Sequence, residues 1–355
     1  MSAPLRIAYV TPYDDAYVSI SSHTAQRIAA WRERGVIVDT FVVGRGGRGG
    51  RGALMNLWQD LADRGPLARR IRDSQPDLVY MRWLTPVPGL NRRLRSVAPL
   101  ILEVHADDQE EVGARSPLRS LFTRLFRRAE LRAASGATFV ISELDDSASF
   151  SGIVGPRIVA PNGSWIERRP LPKVGQPLVG ISVGSMNEWT GVDRFVALAA
   201  QLRSDARWVV VCPPGAAPAV REVVGEEVEL VVAADEEAYR DEISRWTVAI
   251  GTMALERSGR RTATPLKVRD YLGRGVPTVL PYWDESVSGL GDPLVLALAG
   301  PHDSPVAEID PAVVRDFIRR ANGRNVSMAT SNAVAGAAIE DRRVAFLREL
   351  GKVSG

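Results

Sequence analysis

The sequence predicts an α/β protein with two Rossmann-like, doubly wound domains that face each other across a cleft. Short apolar, β-branched runs alternate with helical patterns over most of the 355 residues, a length that suits two domains. The alternation restarts after the proline-rich stretch Glu167–Pro177. Continuous apolar strands separated by helices are typical of parallel sheets covered on both faces. Ligands bind such sheets at the carboxyl ends of the strands, so we expect the site in the cleft.

The first domain is expected at residues 1–168. Its apolar runs predict strands at Leu5–Val10, Val36–Val43, Asp77–Met81, Pro99–Val104 and Ala137–Ile141. A helix is predicted over Ser22–Arg34, and Gly35 is placed to end it. A second helix is predicted over Ser116–Ala134, which opens with a serine cap followed by proline.

A linker is expected at 169–177, a second domain at 178–320, and a helical segment at 321–355 that packs back on the first domain. Strands are predicted at Leu178–Val183, Trp208–Cys212, Val228–Val232, Val248–Gly251 and Val276–Leu280. Helices are predicted at Gly191–Arg203, Glu236–Trp246, Pro265–Arg274, Pro311–Ala321 and about Ala333–Leu350.

The composition excludes several classes of protein. With 45% hydrophobic and 25% charged residues, the chain is globular. Its net charge of +3 (45 minus 42) is too small to indicate a nucleic-acid or membrane partner. One cysteine and three scattered histidines exclude a disulfide framework and a clustered zinc site. No apolar run reaches the roughly 18 residues of a membrane span, and no signal peptide opens the chain, which predicts a cytoplasmic protein.

The most informative segment runs from Thr264 to Pro281 and predicts a helix that opens at the carboxyl edge of the second sheet. Thr264 is a good N-cap, and Pro265 fits the first turn. The partial positive charge and N–H groups there suit a diphosphate, to which Lys267 would add a full charge. The carboxylate of Asp270, one turn deeper, could accept hydrogen bonds from a ribose. The residues alone leave open a surface helix with an internal salt bridge.

This segment resembles the donor-nucleotide motif of GT-B glycosyltransferases, in particular those of the retaining family 4, approximately (S/T)-P-x-K-x-x-E-Y-L-x-x-G-x-P-V. The matching residues are Thr264, Pro265, Lys267, Tyr271, Leu272, Gly275 and Pro277. Further segments resemble motifs of that family in the same order along the chain, from about residue 5 to residue 281. They are Arg6–Pro12, Ser21–Gly35, Asp77–Trp83, Leu102–Glu111, Ala137–Glu143, Val159–Trp165 and Val183–Val196.

The resemblance implies a retaining, metal-independent transferase that moves a sugar from a nucleoside diphosphate to a hydroxyl acceptor, either a glycan, a lipid-linked molecule or a small molecule. It implies catalytic roles for His105, which would face the transferred sugar, and for Lys267 at the donor phosphates. The donor-binding residues it implies are Asp270, Thr264, Pro265, Leu266, Gly184, Ser185 and Arg261. Ser22 and His23 would line an acceptor-side loop. No cofactor is implied besides the nucleotide sugar, and the absence of a D-x-D triplet argues against a metal-dependent GT-A enzyme.

The sequence also departs from the family pattern. Thr262 stands where the first glutamate of the E-x7-E motif is expected, and Ser185 and Thr190 replace basic residues. Asp270 is one methylene shorter than the usual ribose-binding glutamate. The arginines that could replace the missing charges are Arg257, Arg260 and Arg261. These departures keep two alternatives open, a nucleotide-sugar epimerase of the same fold and a binding protein with a decayed site.

Three features allow more than one interpretation. The helix at 116–134 either covers the sheet or holds the enzyme on an anionic membrane surface through its arginines. The Gly/Arg tract at 44–52 is interpreted as a flexible loop near the cleft, with acceptor binding or nucleic-acid binding as alternatives. His105 follows a buried strand, where a structural histidine is the alternative to a functional one.

Overall fold

The computed structural model of the protein describes residues 3–11, 18–43, 53–83, 87–104, 126–127, 129–134, 136–141, 155–301 and 309–353. The chain divides into two compact units. The first comprises Met1–Pro161 together with Glu340–Gly355, and the second comprises Asn162–Ile339. No helix in the described part of the chain is both long and apolar enough to cross a membrane.

The first unit contains a six-stranded parallel sheet in the order β2-β1-β3-β4-β5-β6. Its strands are β1 (Arg6–Thr11), β2 (Ile37–Val42), β3 (Leu78–Trp83), β4 (Leu100–Val104), β5 (Thr138–Ile141) and β6 (Arg157–Val159). Its helices include α1 (Val18–Glu33), α2 (Ala53–Asp73) and α3 (Leu90–Arg95), with helical residues also at 126–127 and 129–133. The sequence did not predict α2, which continues through Gly65 and Pro66, two residues that usually interrupt a helix.

Buried charges join the end of the chain to this first sheet. Arg27 of α1 donates to Glu103 of β4 at 2.6 and 2.8 Å and to Glu340 at 3.0 Å. Arg343 pairs with Glu340 and donates to the Ala160 carbonyl at 3.0 Å. All four charged side chains are buried, so two cations and two carboxylates neutralise each other inside the unit.

The second unit contains a parallel sheet in the order β12-β11-β10-β7-β8-β9. Counted from β7, this is the strand order 3-2-1-4-5-6 of a Rossmann fold, read from the other edge. The strands are β7 (Leu178–Ser182), β8 (Arg207–Cys212), β9 (Glu229–Val232), β10 (Val248–Ile250), β11 (Thr278–Leu280) and β12 (Val295–Ala297). The predicted fold class, an α/β chain with two doubly wound parallel sheets, is confirmed.

The helices after β7 follow in chain order, and the last of them runs from the second unit into the first. They are α4 (Val192–Gln201), α5 (Ala217–Val223), α6 (Glu236–Ile243), α7 (Leu266–Arg274), α8 (Pro311–Ala321), α9 (Met328–Ala333) and α10 (Gly336–Val353). The sequence did not predict α5, α9 or β12, which are short.

The stretch 169–177, expected as a linker, is held within the second unit by two asparagines. Asn322 accepts from the Val174 N–H at 3.1 Å and donates to the Val174 carbonyl at 2.7 Å. Asn325 accepts from the Leu171 N–H at 3.1 Å and donates to the Arg169 carbonyl at 2.8 Å. These bonds satisfy backbone groups that would otherwise face solvent, so this stretch has a fixed path over the unit.

Candidate functional site

The strand order of the second sheet locates its ligand site. Strands β7 and β10 are hydrogen-bonded neighbours, and the chain proceeds in opposite directions across the sheet from these two strands. In open α/β sheets this switch point, at the carboxyl ends of the strands, is where ligands bind. Here it is flanked by Ser182, the last residue of β7, and by Gly251 and Thr252, which follow β10.

Helix α7 begins beside this point, one residue later than the sequence predicted. Pro265, with φ −64° and ψ 140°, is the N-cap in place of Thr264, and its carbonyl accepts from the N–H groups of Val268 and Arg269. Proline has no capping side chain, so the N–H groups of the first turn remain oriented out of the helix N-terminus. This end of the helix suits an anion.

Lys267 lies in the first turn of α7 and reaches the end of β7. Its Nζ donates to the Ser182 carbonyl oxygen at 3.2 Å. In the described part of the chain, no carboxylate forms an ion pair with it. Burial of the ammonium group lowers the pKa of Lys267 to about 7. A partly desolvated cation whose only partner is neutral lacks a counter-ion, and an anionic ligand would provide one.

Asp270 lies one turn further along the same helix. Its Oδ1 accepts from the Ser164 hydroxyl at 3.1 Å, and Gly273 leaves room for that approach, since a Cβ there would lie 2.5 Å from the Ser164 Oγ. Burial raises the pKa of Asp270 to about 7, and the charge of Glu236 acts in the same direction.

Lys267 and Asp270 do not pair with each other. Arg274, the last residue of α7, is buried and donates to the Glu167 carbonyl at 3.3 Å. No ion pair joins these three described side chains, so the alternative interpretation of a surface helix with an internal salt bridge is wrong. Buried charged groups without counter-ions destabilise a fold, which makes them candidates for a functional role.

Three hydroxyl groups, from Ser182, Tyr239 and Tyr271, hold the end of β7 in place, a role that the sequence did not predict. The Ser182 N–H donates to the Tyr271 phenol oxygen at 2.7 Å, and the Tyr271 O–H donates to the Ser182 Oγ at 2.8 Å. The Tyr239 O–H, from α6, donates to the same Oγ at 3.3 Å. No local sequence pattern indicates the bond between Tyr239 and Ser182, because the two residues are 57 positions apart along the chain.

The loop after β7 carries the other predicted donor-side residues. Gly184 is exposed, and a Cβ added to it would meet open space. Ser185 is exposed, and its Oγ accepts from Asn187 at 2.8 Å. Thr190, where a lysine is expected, is buried.

Arg257 does not supply the missing positive charge. It donates to both carboxylate oxygens of Asp193, at 2.9 and 2.7 Å, and to the Glu188 carbonyl at 3.1 Å. Arg261 is exposed in the segment before α7, and Thr262 is buried and forms a parallel bridge with Trp283. Thr264 is buried, whereas Pro265 and Leu266 are half-buried at the helix start.

The predicted acceptor-side residues belong to the first unit. Ser22 and His23 are half-buried within helix α1, which begins at Val18, so the predicted loop is helical at these two positions. His105 and the Gly/Arg tract at 44–52 lie outside the described residues. Of the helix predicted at 116–134, the described part is 126–127 and 129–134.

No protein-family model matches the chain, and no curated protein is significantly similar to it in sequence. Its fold is similar to that of a glycosyltransferase from Rickettsia africae ESF-5, with a TM-score of 0.62 and 9% identity over 98% of this chain and 99% of that chain. It is also similar to the α,α-trehalose 6-phosphate synthase of Burkholderia multivorans (TM-score 0.59, 12% identity, 99% and 98% covered). A third similar structure is the UDP-GlcNAc 2-epimerase of Neisseria meningitidis bound to UDP-GlcNAc (TM-score 0.53, 10% identity, 97% and 100% covered). The chain therefore has the two-domain, Rossmann-like GT-B fold.

Proposed function

We propose that the protein is a glycosyltransferase that moves a sugar from a nucleoside diphosphate to a hydroxyl acceptor with retention of configuration, without a metal or other cofactor. The observation that carries this proposal is the position of Lys267. It is a desolvated cation without a counter-ion, located beside a helix N-terminus at the switch point of a Rossmann-ordered sheet. The fold similarity to a glycosyltransferase and to a trehalose 6-phosphate synthase supports it.

The donor would lie along the first two turns of α7. The diphosphate would accept hydrogen bonds from the N–H groups that open the helix and from Lys267, whose charged form the anion would stabilise. Gly184 leaves open space in the loop after β7, where the backbone could approach the phosphates. The Asp270 carboxylate, released from or shared with Ser164, would accept from the hydroxyls of the ribose.

The chemistry then follows from stabilisation of the leaving group. The bond between the sugar C1 and the diphosphate oxygen breaks, and a bond between C1 and the acceptor oxygen forms on the same face. The acceptor hydroxyl proton passes to the departing diphosphate oxygen, so no strong protein base is required. Preorganised positive charge at that oxygen, from α7 and Lys267, lowers the barrier because the charge develops there in the transition state.

The acceptor side rests on the sequence alone. His105 would face the transferred sugar, and Ser22 and His23 would lie on the acceptor side. A lipid-linked acceptor, with membrane contact through the 116–134 helix, remains a prediction of the sequence.

Ligand-induced stabilisation tests the donor site. We expect one nucleotide among UDP, GDP, dTDP, ADP and their glucosyl forms to raise the melting temperature, since only ligands that prefer the folded state stabilise it. Lys267→Met should weaken binding of that nucleotide about tenfold to a hundredfold. Lys173→Met is the matched control, because Lys173 is an exposed lysine in the 169–177 stretch.

The outcomes also separate the alternatives. If no nucleotide at millimolar concentration stabilises the wild type, the donor site is wrong. If a nucleotide sugar binds and is returned with one ring carbon inverted, the protein is an epimerase, and if it binds without turnover the site is decayed. Retention itself is read from the anomeric configuration of the product by NMR.

A further inference from the structure

We infer that the indole of Trp189 is a platform on which the transferred sugar of the donor packs. Among the tryptophan side chains that the structure describes, only this one is exposed, at 36%. No described aromatic ring or cation packs on its face. The exposed part of this indole is apolar surface that a ligand could cover. The inference rests on the proposed function, because it identifies which part of that donor the residue would contact.

The platform is rigid because its backbone is tied to the segment that follows β10. Trp189 lies in the short 3-10 helix Glu188–Thr190. The Ala254 N–H donates to the Trp189 carbonyl at 3.2 Å, and the Met253 N–H donates to the Thr190 carbonyl at 3.0 Å. Arg257 adds a bond to the carbonyl of Glu188. A side chain presented by such a fixed backbone loses little entropy when it binds a ligand.

Gly191 makes this close approach of the two segments feasible. It adopts φ +72°, a conformation that favours glycine, and a Cβ at this position would lie 2.8 Å from the Met253 Cβ and 2.9 Å from the Ala254 nitrogen. Any other residue would push the two segments apart. Gly191 therefore allows the segment that follows β7, which carries the exposed tryptophan, to lie against the segment that follows β10, and these two strands form the switch point.

The part of the donor that meets the indole follows from where the other groups lie. Asp270 is the candidate ribose partner. The charges of Glu236 and Arg240 act on the pKa of its carboxyl group, and both residues belong to α6, the helix that follows the edge strand β9. Trp189 belongs instead to the segments that follow β7 and β10. With the diphosphate at the N-terminus of α7, the nucleoside would extend towards α6 and the sugar towards Trp189. The C–H groups on one face of a pyranose form an apolar surface that suits an indole.

Paired titrations test this assignment, with the nucleoside diphosphate that stabilises the wild type and its glucosyl form as the two probes. We expect Trp189→Ala to weaken binding of the glucosyl form about tenfold and to leave binding of the diphosphate unchanged. Trp189→Phe should restore most of the lost affinity, because a phenyl ring offers the same kind of face. Leu290→Ala, which shortens another exposed apolar side chain of the unit, is the control and should affect neither probe.

Two results would overturn the inference while leaving the donor site intact. Equal weakening of both probes by Trp189→Ala would assign the indole to the base or to the fold of the loop, and no weakening of either would remove it from the site. Failure of every nucleotide to bind the wild type would instead refute the proposed function, and the platform with it.

Discussion

Two sets of desolvated charged side chains, one in each unit of the protein, differ in how their charge is compensated. In the first unit, Arg27 and Arg343 form ion pairs with Glu103 and Glu340. In the second, Lys267 and Asp270 lie one turn apart on α7 and each bonds only to a neutral partner. Mutual pairing holds the first set in its charged form, whereas burial shifts the pKa values of the second set towards neutrality.

The difference teaches how to distinguish structural from functional buried charge. In a compensated group such as that around Arg27, the opposite charges neutralise each other and leave little net charge for a ligand. An uncompensated group such as Lys267 lowers the free energy of unfolding of the protein without a ligand. A bound anion can supply the missing counter-charge.

The largest effect is expected from Glu340→Ala in the first unit. The change leaves Arg27 and Arg343 to share the single carboxylate of Glu103 inside the core, which should lower the free energy of unfolding by about 3–5 kcal/mol. Urea-induced unfolding measures it. Asp341→Ala is the control, because Asp341 is 64% exposed and its surface pair with Arg34 should contribute less than about 1 kcal/mol. Equal effects of the two changes would show that the buried group contributes no more to the free energy of unfolding than a surface ion pair does.

The pH dependence of the free energy of unfolding should distinguish the contribution of Lys267 from that of Asp270. Between pH 7 and 10.5 the unfolded state binds more protons at Lys267 than the folded state, so its contribution to stability rises with pH. Between pH 3.8 and 7 the folded state binds more protons at Asp270, so that contribution falls as pH rises. Together the two groups should give a minimum of stability near pH 7.

Single variants assign the two sides of that minimum. Lys267→Met should remove the rise above pH 7, and Asp270→Asn should remove the fall below it, both followed by urea unfolding at several pH values. An unchanged pH profile in both variants would mean that neither group is desolvated as the structure indicates.

A smaller effect is expected from Tyr271→Phe. The phenol accepts from the Ser182 N–H and donates to its hydroxyl, so its removal leaves a buried N–H without a partner and should cost about 1–3 kcal/mol. Tyr239→Phe should cost less, because its bond to the same hydroxyl is longer, at 3.3 Å, and Tyr239 is half-buried. A larger loss of stability from Tyr239→Phe than from Tyr271→Phe would show that the hydrogen bond from α6 contributes more than that from α7 to holding the end of β7.

The sequence was sufficient for whatever depends on local patterns. The predicted strands recur in both sheets, and α7 was predicted within one residue, because apolar periodicity and proline or glycine at the helix ends are local signals. Helix α2 was missed because Gly65 and Pro66 suggest an interruption that tertiary packing overrides.

Partners distant along the chain could not be predicted. Ser164 meets Asp270 across 106 residues, and Arg27 meets Glu340 across 313 residues, with no local signal for either pair. Arg257 was a reasonable substitute for a missing phosphate ligand until the structure placed it against Asp193. The charge on a side chain is known from the sequence, but its availability to a ligand depends on these distant neighbours.

The buried group around Arg27 has a consequence for the order in which the protein is made. When Ile339 has been synthesised, the six described strands of the first unit are complete, but Glu340 and Arg343 still have to follow. The second unit, continuous from Asn162 to Ile339, can be complete before the first. We therefore expect the N-terminal unit to finish folding last, against the usual order of synthesis, and a nascent chain stopped before Glu340 to expose it to proteases.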